Sequence, residues 1–248
     1  MLRFSHGTMK DLFGQAILDF QTQNAPEALY TETSISDEEA LDVAYLFRSY
    51  DLMPTLEQKA LQLAFGKILD VGCGAGSHAL WLQDSRALEV TAIDQSKNAV
   101  RACQLRGLKN VLTIDLLDFE SREPFDTILL LMNGTGIFQT LDKMPLYLRK
   151  LKSLLHPKGQ ILIDSSDLIY MFEPEDSEDS EGGIWIPGDR YYGELTFTIS
   201  YKGATENPFP WLYLDFSTLK DMALANGFEC ELVCEGEHYD YLACLTLG

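Results

Sequence analysis

Ile68-Leu69-Asp70-Val71-Gly72-Cys73-Gly74-Ala75-Gly76-Ser77-His78 is the stretch that decides how this chain folds. A short apolar run passes directly into three alternating glycines and then into residues with helical spacing, which reads as strand, tight turn and helix. Glycine lets the backbone reverse sharply and approach a ligand closely, and the first turn of the following helix presents free N–H groups. The stretch is therefore a ligand cradle. Its spacing narrows the ligand, because a dinucleotide fingerprint is G-x-G-x-x-G and the sixth position counted from Gly72 is Ser77.

Downstream of Lys67, short apolar runs alternate with amphipathic segments, the pattern of a parallel sheet covered on both faces. Strands are expected at Ile68–Val71, Glu89–Ile93, Val111–Ile114, Thr127–Leu131 and Gln160–Ile163, with helices starting near Ser77, Ser96 and Thr140. The last of these carries Leu141, Met144, Leu148, Leu151 and Leu155 on one face and stops at His156-Pro157-Lys158-Gly159. A further helix runs from a Ser217 cap to Gly227, and Phe228–Cys234 with Tyr239–Leu247 forms an edge hairpin. Residues 165–213 interrupt the alternation with an acidic loop, Asp176–Gly183, and one half-buried strand, Leu195–Tyr201.

Upstream, residues 1–66 read as a helical cap in three pieces. Met9, Leu12, Phe13, Ala16, Ile17 and Phe20 share a face. Ser36-Asp37-Glu38-Glu39 forms a capping box ahead of Ala40, Val43, Ala44 and Phe47, and Thr55-Leu56-Glu57-Gln58 after Pro54 forms another, ending at Gly66. The expected division is a cap over 1–66 and a main domain over 67–248 with its insertion.

Composition excludes several classes. The 38 acidic residues outnumber the 19 basic ones, a formal charge of −19 that repels a phosphate backbone, so nucleic acid is not the expected partner. No apolar run is long enough to span a bilayer and no signal peptide is recognisable, so the expected location is cytoplasmic. The five cysteines include no C-x-x-C pair, which suggests neither a disulfide framework nor a zinc site, and no metal is expected. Cys230 and Cys234, on one face of a strand, stand about 13 Å apart, beyond disulfide reach.

The G-x-G-x-G turn entered through Ile68-Leu69-Asp70-Val71 resembles the first motif of class I S-adenosylmethionine-dependent methyltransferases. The resemblance implies a three-layer Rossmann-like α/β fold, with a mostly parallel seven-stranded sheet ending in an antiparallel hairpin. It also implies a cofactor, S-adenosylmethionine. Asp70, Gly72, Cys73, Gly74, Ala75 and Gly76 would surround its methionyl part, Asp94 would accept both ribose hydroxyls, and Gln95 would flank the adenine. Asp115 and Leu116 match the adenine position, with Asp118 a competing acid, and Asn133-Gly134 matches the segment bordering cofactor and acceptor. Leu154–Leu162 resembles the family's leucine-lysine-proline-glycine-glycine turn, with His156 and Gln160 departing from it.

Methyl transfer from a sulfonium needs no protein nucleophile, and no catalytic base is assigned. His238 is a candidate that a hairpin position disfavours, His78 and His156 have packing or structural explanations, and His6 lies near the terminus. Arg48 is a candidate partner for the methionyl carboxylate, the alternative being an exposed helical arginine. Trp185, Tyr191, Tyr192 and Pro208-Phe209-Pro210-Trp211 are candidates for the acceptor pocket, or anchor their loop to the core. The motifs of enzymes that methylate nucleic-acid amines or cytosine carbon are absent, so a small-molecule acceptor is expected, with a protein side chain second. A nicotinamide oxidoreductase and a non-catalytic cofactor-binding protein are the other readings, and Ser77 disfavours the former.

Overall fold

The computed structural model describes residues 10–172 and 190–248. In chain order its strands are β1 Leu29–Thr33, β2 Ser36–Leu41, β3 Lys67–Val71, β4 Glu89–Asp94, β5 Val111–Thr113 and β6 Phe125–Leu130, followed by β7 Leu155–Ser166, β8 Glu194–Tyr201, β9 Ala204–Thr205, β10 Phe209–Leu212, β11 Phe228–Glu235 and β12 Asp240–Leu247. The α-helices are α1 Leu12–Thr22, α2 Thr55–Leu63, α3 Ser77–Ser85, α4 Lys97–Leu105, α5 Met144–Leu154 and α6 Phe216–Ala225.

Successive strand side chains point to opposite faces, and here both faces are apolar. Ile68, Leu129, Leu162 and Leu242 pack under α2, α3 and α4, whereas Leu69, Ile128, Ile161 and Ala243 pack under α5 and α6. The result is the expected Rossmann-like arrangement of three layers. The seven-stranded sheet has the order β11-β12-β7-β6-β3-β4-β5, with β3 to β7 parallel and β11 and β12 antiparallel at one edge. Because β6, β3 and β4 are adjacent, the turns leaving their carboxyl ends converge.

Several sequence expectations are corrected. The capping box at Ser36 opens strand β2, not a helix: Thr31 faces Glu39 across an antiparallel pair with β1, and Ser36 Oγ meets Thr33 Oγ1 at 2.8 Å inside the hairpin. Tertiary pairing overrides a local capping signal because β1 is itself held by β8 along its whole length. Val43–Phe47 is a single 3₁₀ turn capped by Asp42, which accepts from Ala44 N at 2.9 Å. At α2 the cap residue is Pro54, and Gln58 donates to the carbonyls of Tyr50 and Met53 instead of closing a box. Helix α5 starts at Met144, four residues later than expected, with Pro145 in its first turn, and α6 is capped by Asp215, not Ser217. Strand β7 is longer than expected and runs through Pro157-Lys158-Gly159.

The largest difference is a second sheet. Strands β10, β8, β1 and β2 form an antiparallel sheet in that order, with β9 paired to β8, so part of the N-terminal segment and the insertion after β7 build one element. A third core joins it to the main domain, in which Leu29, Ile199 and Tyr201 pack with Leu12, Ala16 and Ile17 of α1, Ala99 and Ala102 of α4, and Ala75 of the glycine turn. Met9, His6, Trp185 and the acidic loop Asp176–Gly183 lie outside the described residues. Among the described residues no helix is long and apolar enough to cross a membrane.

Candidate functional site

The carboxyl ends of β3, β4, β5, β6 and β7 carry, in turn, Asp70, Asp94, Asp115, Asn133 and Asp164, each within three residues of its strand end. The turn after β3 is bonded to β4: Gly72 N and Cys73 N both donate to the carbonyl of Ile93, at 2.9 and 3.1 Å. Gly74 then takes the left-handed backbone at φ 53°, and a Cβ there would project into open space. The turn therefore presents bare backbone on the side away from the cores.

Asp70 is buried, and its Oδ2 has no hydrogen-bond partner among the described residues. Burial pushes its carboxyl up to about 6, with Asp94 adding to the rise and His78 and the Ala79 N–H opposing it. Asp94 is also raised, chiefly by burial, although Gly74 N donates to its Oδ2 at 2.9 Å and Ser96 N to its Oδ1 at 2.8 Å. Each of those oxygens keeps a lone pair for a further donor, which is what a vicinal diol would offer. Gln95 Nε2 donates to Asp115 Oδ2 at 2.6 Å and Leu117 N to Asp115 Oδ1 at 2.7 Å, so the fold brings Gln95 and Asp115 together. Leu116 is 3% exposed and packs into the core with Phe119, leaving Ile114 and Leu117 as the part-buried apolar neighbours.

Other members of the predicted set have structural duties. Cys73 turns to α4, its Sγ 4.0 Å from that of Cys103, which itself donates to Gly74 O. Ala75 is buried against α1 and α4, and its carbonyl accepts from Arg106. Ser77 donates to Leu46 O at 2.8 Å, tying the glycine turn to the segment upstream. Asn133 has φ 58° and its Oδ1 accepts from Ser166 Oγ at 3.1 Å.

Arg48 is neither exposed nor helical. It follows the 3₁₀ turn at 7% exposure, stacks over Tyr45 with 3.9 Å from guanidinium carbon to ring centre, donates to Tyr45 O at 2.7 Å and pairs with the carboxylate of Glu57. Its Nε–H has no partner among the described residues. Glu57 also bonds His78 Nε2 at 2.7 Å. Burial works to raise the Glu57 carboxyl, but His78 and Arg48 together overcome it and hold the group below its ordinary value. This buried trio was not legible as a unit, since its members stand on three elements and Glu57 reads locally as a helix-start residue.

The histidines separate clearly. His156 Nδ1 accepts from Lys158 N at the start of β7, a structural role. His238 is exposed in the β11–β12 turn, and because β12 starts opposite Ser166 that turn sits at the carboxyl edge. Next to this edge, Tyr192 Oη donates to Asp167 Oδ1 and Tyr191 Oη to Asp215 Oδ2, each at 2.6 Å, with the two rings 4.6 Å apart. Trp211 packs against Gly136, where a Cβ would lie 1.9 Å from the indole.

A family model described as a methyltransferase domain matches residues 65–197. A methyltransferase from Bacteroides fragilis, crystallised with S-adenosyl-L-homocysteine, is 48% identical over 96% of this chain and 95% of its own, with a TM-score of 0.86. The CcbJ methyltransferase from Streptomyces caelestis shares the fold at 16% identity, covering 80% of this chain and 94% of its own, with a TM-score of 0.59. A tRNA U34 carboxymethyltransferase from Cellvibrio japonicus is 30% identical over 132 residues, half of this chain and 37% of that protein's length. The chain belongs to the methyltransferase-domain family, within the class I S-adenosylmethionine-dependent methyltransferases.

Proposed function

We propose that this protein binds S-adenosylmethionine along the carboxyl ends of β3 to β6 and passes its methyl group, by in-line displacement, to a small-molecule acceptor. The observation that carries the cofactor half is that two buried polar atoms have no partner among the described residues, the acceptor Asp70 Oδ2 and the donor Arg48 Nε–H. A buried polar group without a partner is costly, and an amino-acid end offers an ammonium to the first and a carboxylate to the second. Gly74 leaves backbone room between β3 and β4, Asp94 supplies diol acceptors, and Asp115 with Gln95 supplies polar groups for the base. The residues fit the group.

When bound, the cofactor supplies a sulfonium methyl that is already electrophilic, so the chain's work is to orient the acceptor and exclude water. Tyr191 and Tyr192, hydrogen-bonded to Asp215 and Asp167 next to the carboxyl edge, are our candidates for the acceptor side. The tRNA enzyme's match extends over only 37% of its length, and a chain of charge −19 opposes a polyanionic acceptor.

Calorimetry with S-adenosylhomocysteine tests the cofactor site. Asp94→Ala is expected to weaken binding ten- to hundredfold, about 1.4 to 3 kcal/mol. Tight binding of NAD with none of S-adenosylhomocysteine overturns the reading, and a metabolite panel screened for cofactor-dependent methylation identifies the acceptor.

A further inference from the structure

Met132 and Asn133, two consecutive non-glycine residues after β6, adopt the left-handed backbone at φ 66° and 58°. In that region the Cβ crowds the following carbonyl, and the conformation persists only where surroundings enforce it. The enforcing group is Asp164, near the end of β7, whose Oδ2 accepts from Met132 N and whose Oδ1 accepts from Gly134 N, both at 2.9 Å. Asp164 is 8% exposed, and burial pushes its carboxyl up to about 6 against the lowering effect of those two N–H groups. The fold thus retains a buried carboxyl where only two acceptor oxygens with no donor satisfy the backbone.

The short 3₁₀ turn that follows, Gly134–Phe138, touches β6 and β7 of the seven-stranded sheet and β10 of the other. On one side Ile137 Cδ1 is 3.2 Å from where a Cβ of Gly72 would stand, so the turn abuts the glycine loop. On the other, Trp211 of β10 packs on Gly136. Thr135 and Ser165 lock the same corner, their hydroxyls 2.6 Å apart, with Leu214 N donating to Ser165 Oγ.

We propose that Asp164 is a positioning residue for methyl transfer: it holds Met132 and Asn133 in their left-handed geometry and, through Ile137, fixes the glycine turn in its cofactor-binding shape. This rests on the cofactor reading above. Asp164→Asn keeps one acceptor but turns an amide donor toward the second backbone N–H. It should weaken S-adenosylhomocysteine binding at pH 7.5 by about tenfold or more, measured by calorimetry. Met132→Gly added to Asp164→Asn should recover most of that loss, because glycine takes positive φ without steric cost. A residue of merely general stabilising value predicts the reverse, since an added glycine loosens the unfolded chain and lowers stability further. Affinity of Asp164→Asn within about twofold of the parent overturns the proposal, as does failure of Met132→Gly to restore it. Should Asp164→Asn alone not fold, the suppression is read as return of a cooperative melting transition in the double variant, and its absence overturns the proposal equally. A parent protein that binds no S-adenosylhomocysteine overturns the cofactor reading, and this one with it, a result distinct from loss without rescue.

Discussion

At the scale of single residues, the stability contribution of Asp70 opposes its proposed role in binding. Its carboxyl is raised from 3.8 to about 6 by burial, so the folded state binds the proton more tightly than the unfolded chain. The stability this confers is present below the unfolded value of 3.8 and is lost as pH rises through about 6. Asp70→Asn should therefore be more stable than the parent at pH 7.5, by about 2 to 3 kcal/mol at most, with the difference vanishing near pH 4. The same variant should bind S-adenosylhomocysteine less well. Thermal melts across pH 4 to 8 check the first half, and a variant less stable at pH 7.5 refutes it. Glu57 has the opposite sign: its lowered carboxyl adds stability at neutral pH that is lost as pH falls below the ordinary carboxylate range.

At the scale of elements, the decisive contacts are those that join the second sheet to the main one. Gly136 sits under Trp211, and a methyl there would stand 1.9 and 2.2 Å from indole atoms. Gly136→Ala should cost about 1 to 3 kcal/mol by overpacking, lower the melting temperature and alter tryptophan emission. Unchanged melting would mean that β10 yields freely and does not clamp the turn after β6. The interior strands β3, β4 and β6 read correctly because a strand buried on both faces needs an apolar run whatever its neighbours are. Strand β2 did not, because four of its six residues are exposed and their identities report solvation instead of pairing. Its conformation is set by β1, and β1 in turn by β8, more than 160 residues away along the chain.

At the scale of the whole molecule, charge discriminates between acceptor classes. With 38 acidic against 19 basic residues, the chain should bind bulk tRNA more weakly than about 100 μM at 0.15 M salt, measured by gel shift or anisotropy. Tighter binding would favour an acceptor like that of the tRNA enzyme, 37% of whose length this chain matches. The match to the methyltransferase-domain model ends at residue 197, inside β8, so part of the second sheet lies beyond what the family model describes.

The sequence by itself determined the strand–turn–helix at Asp70–Ser77, the positions of the parallel strands along the chain, the edge hairpin and the family. These depend on local turn chemistry and on two-sided burial, both of which leave marks at fixed short spacing. The tertiary structure alone decided that N-terminal and inserted strands form one sheet, that Arg48, Glu57 and His78 share a buried site, and that Asp164 restrains Met132 and Gly134. Each of those pairings joins residues from different elements, where no sequence spacing records who faces whom.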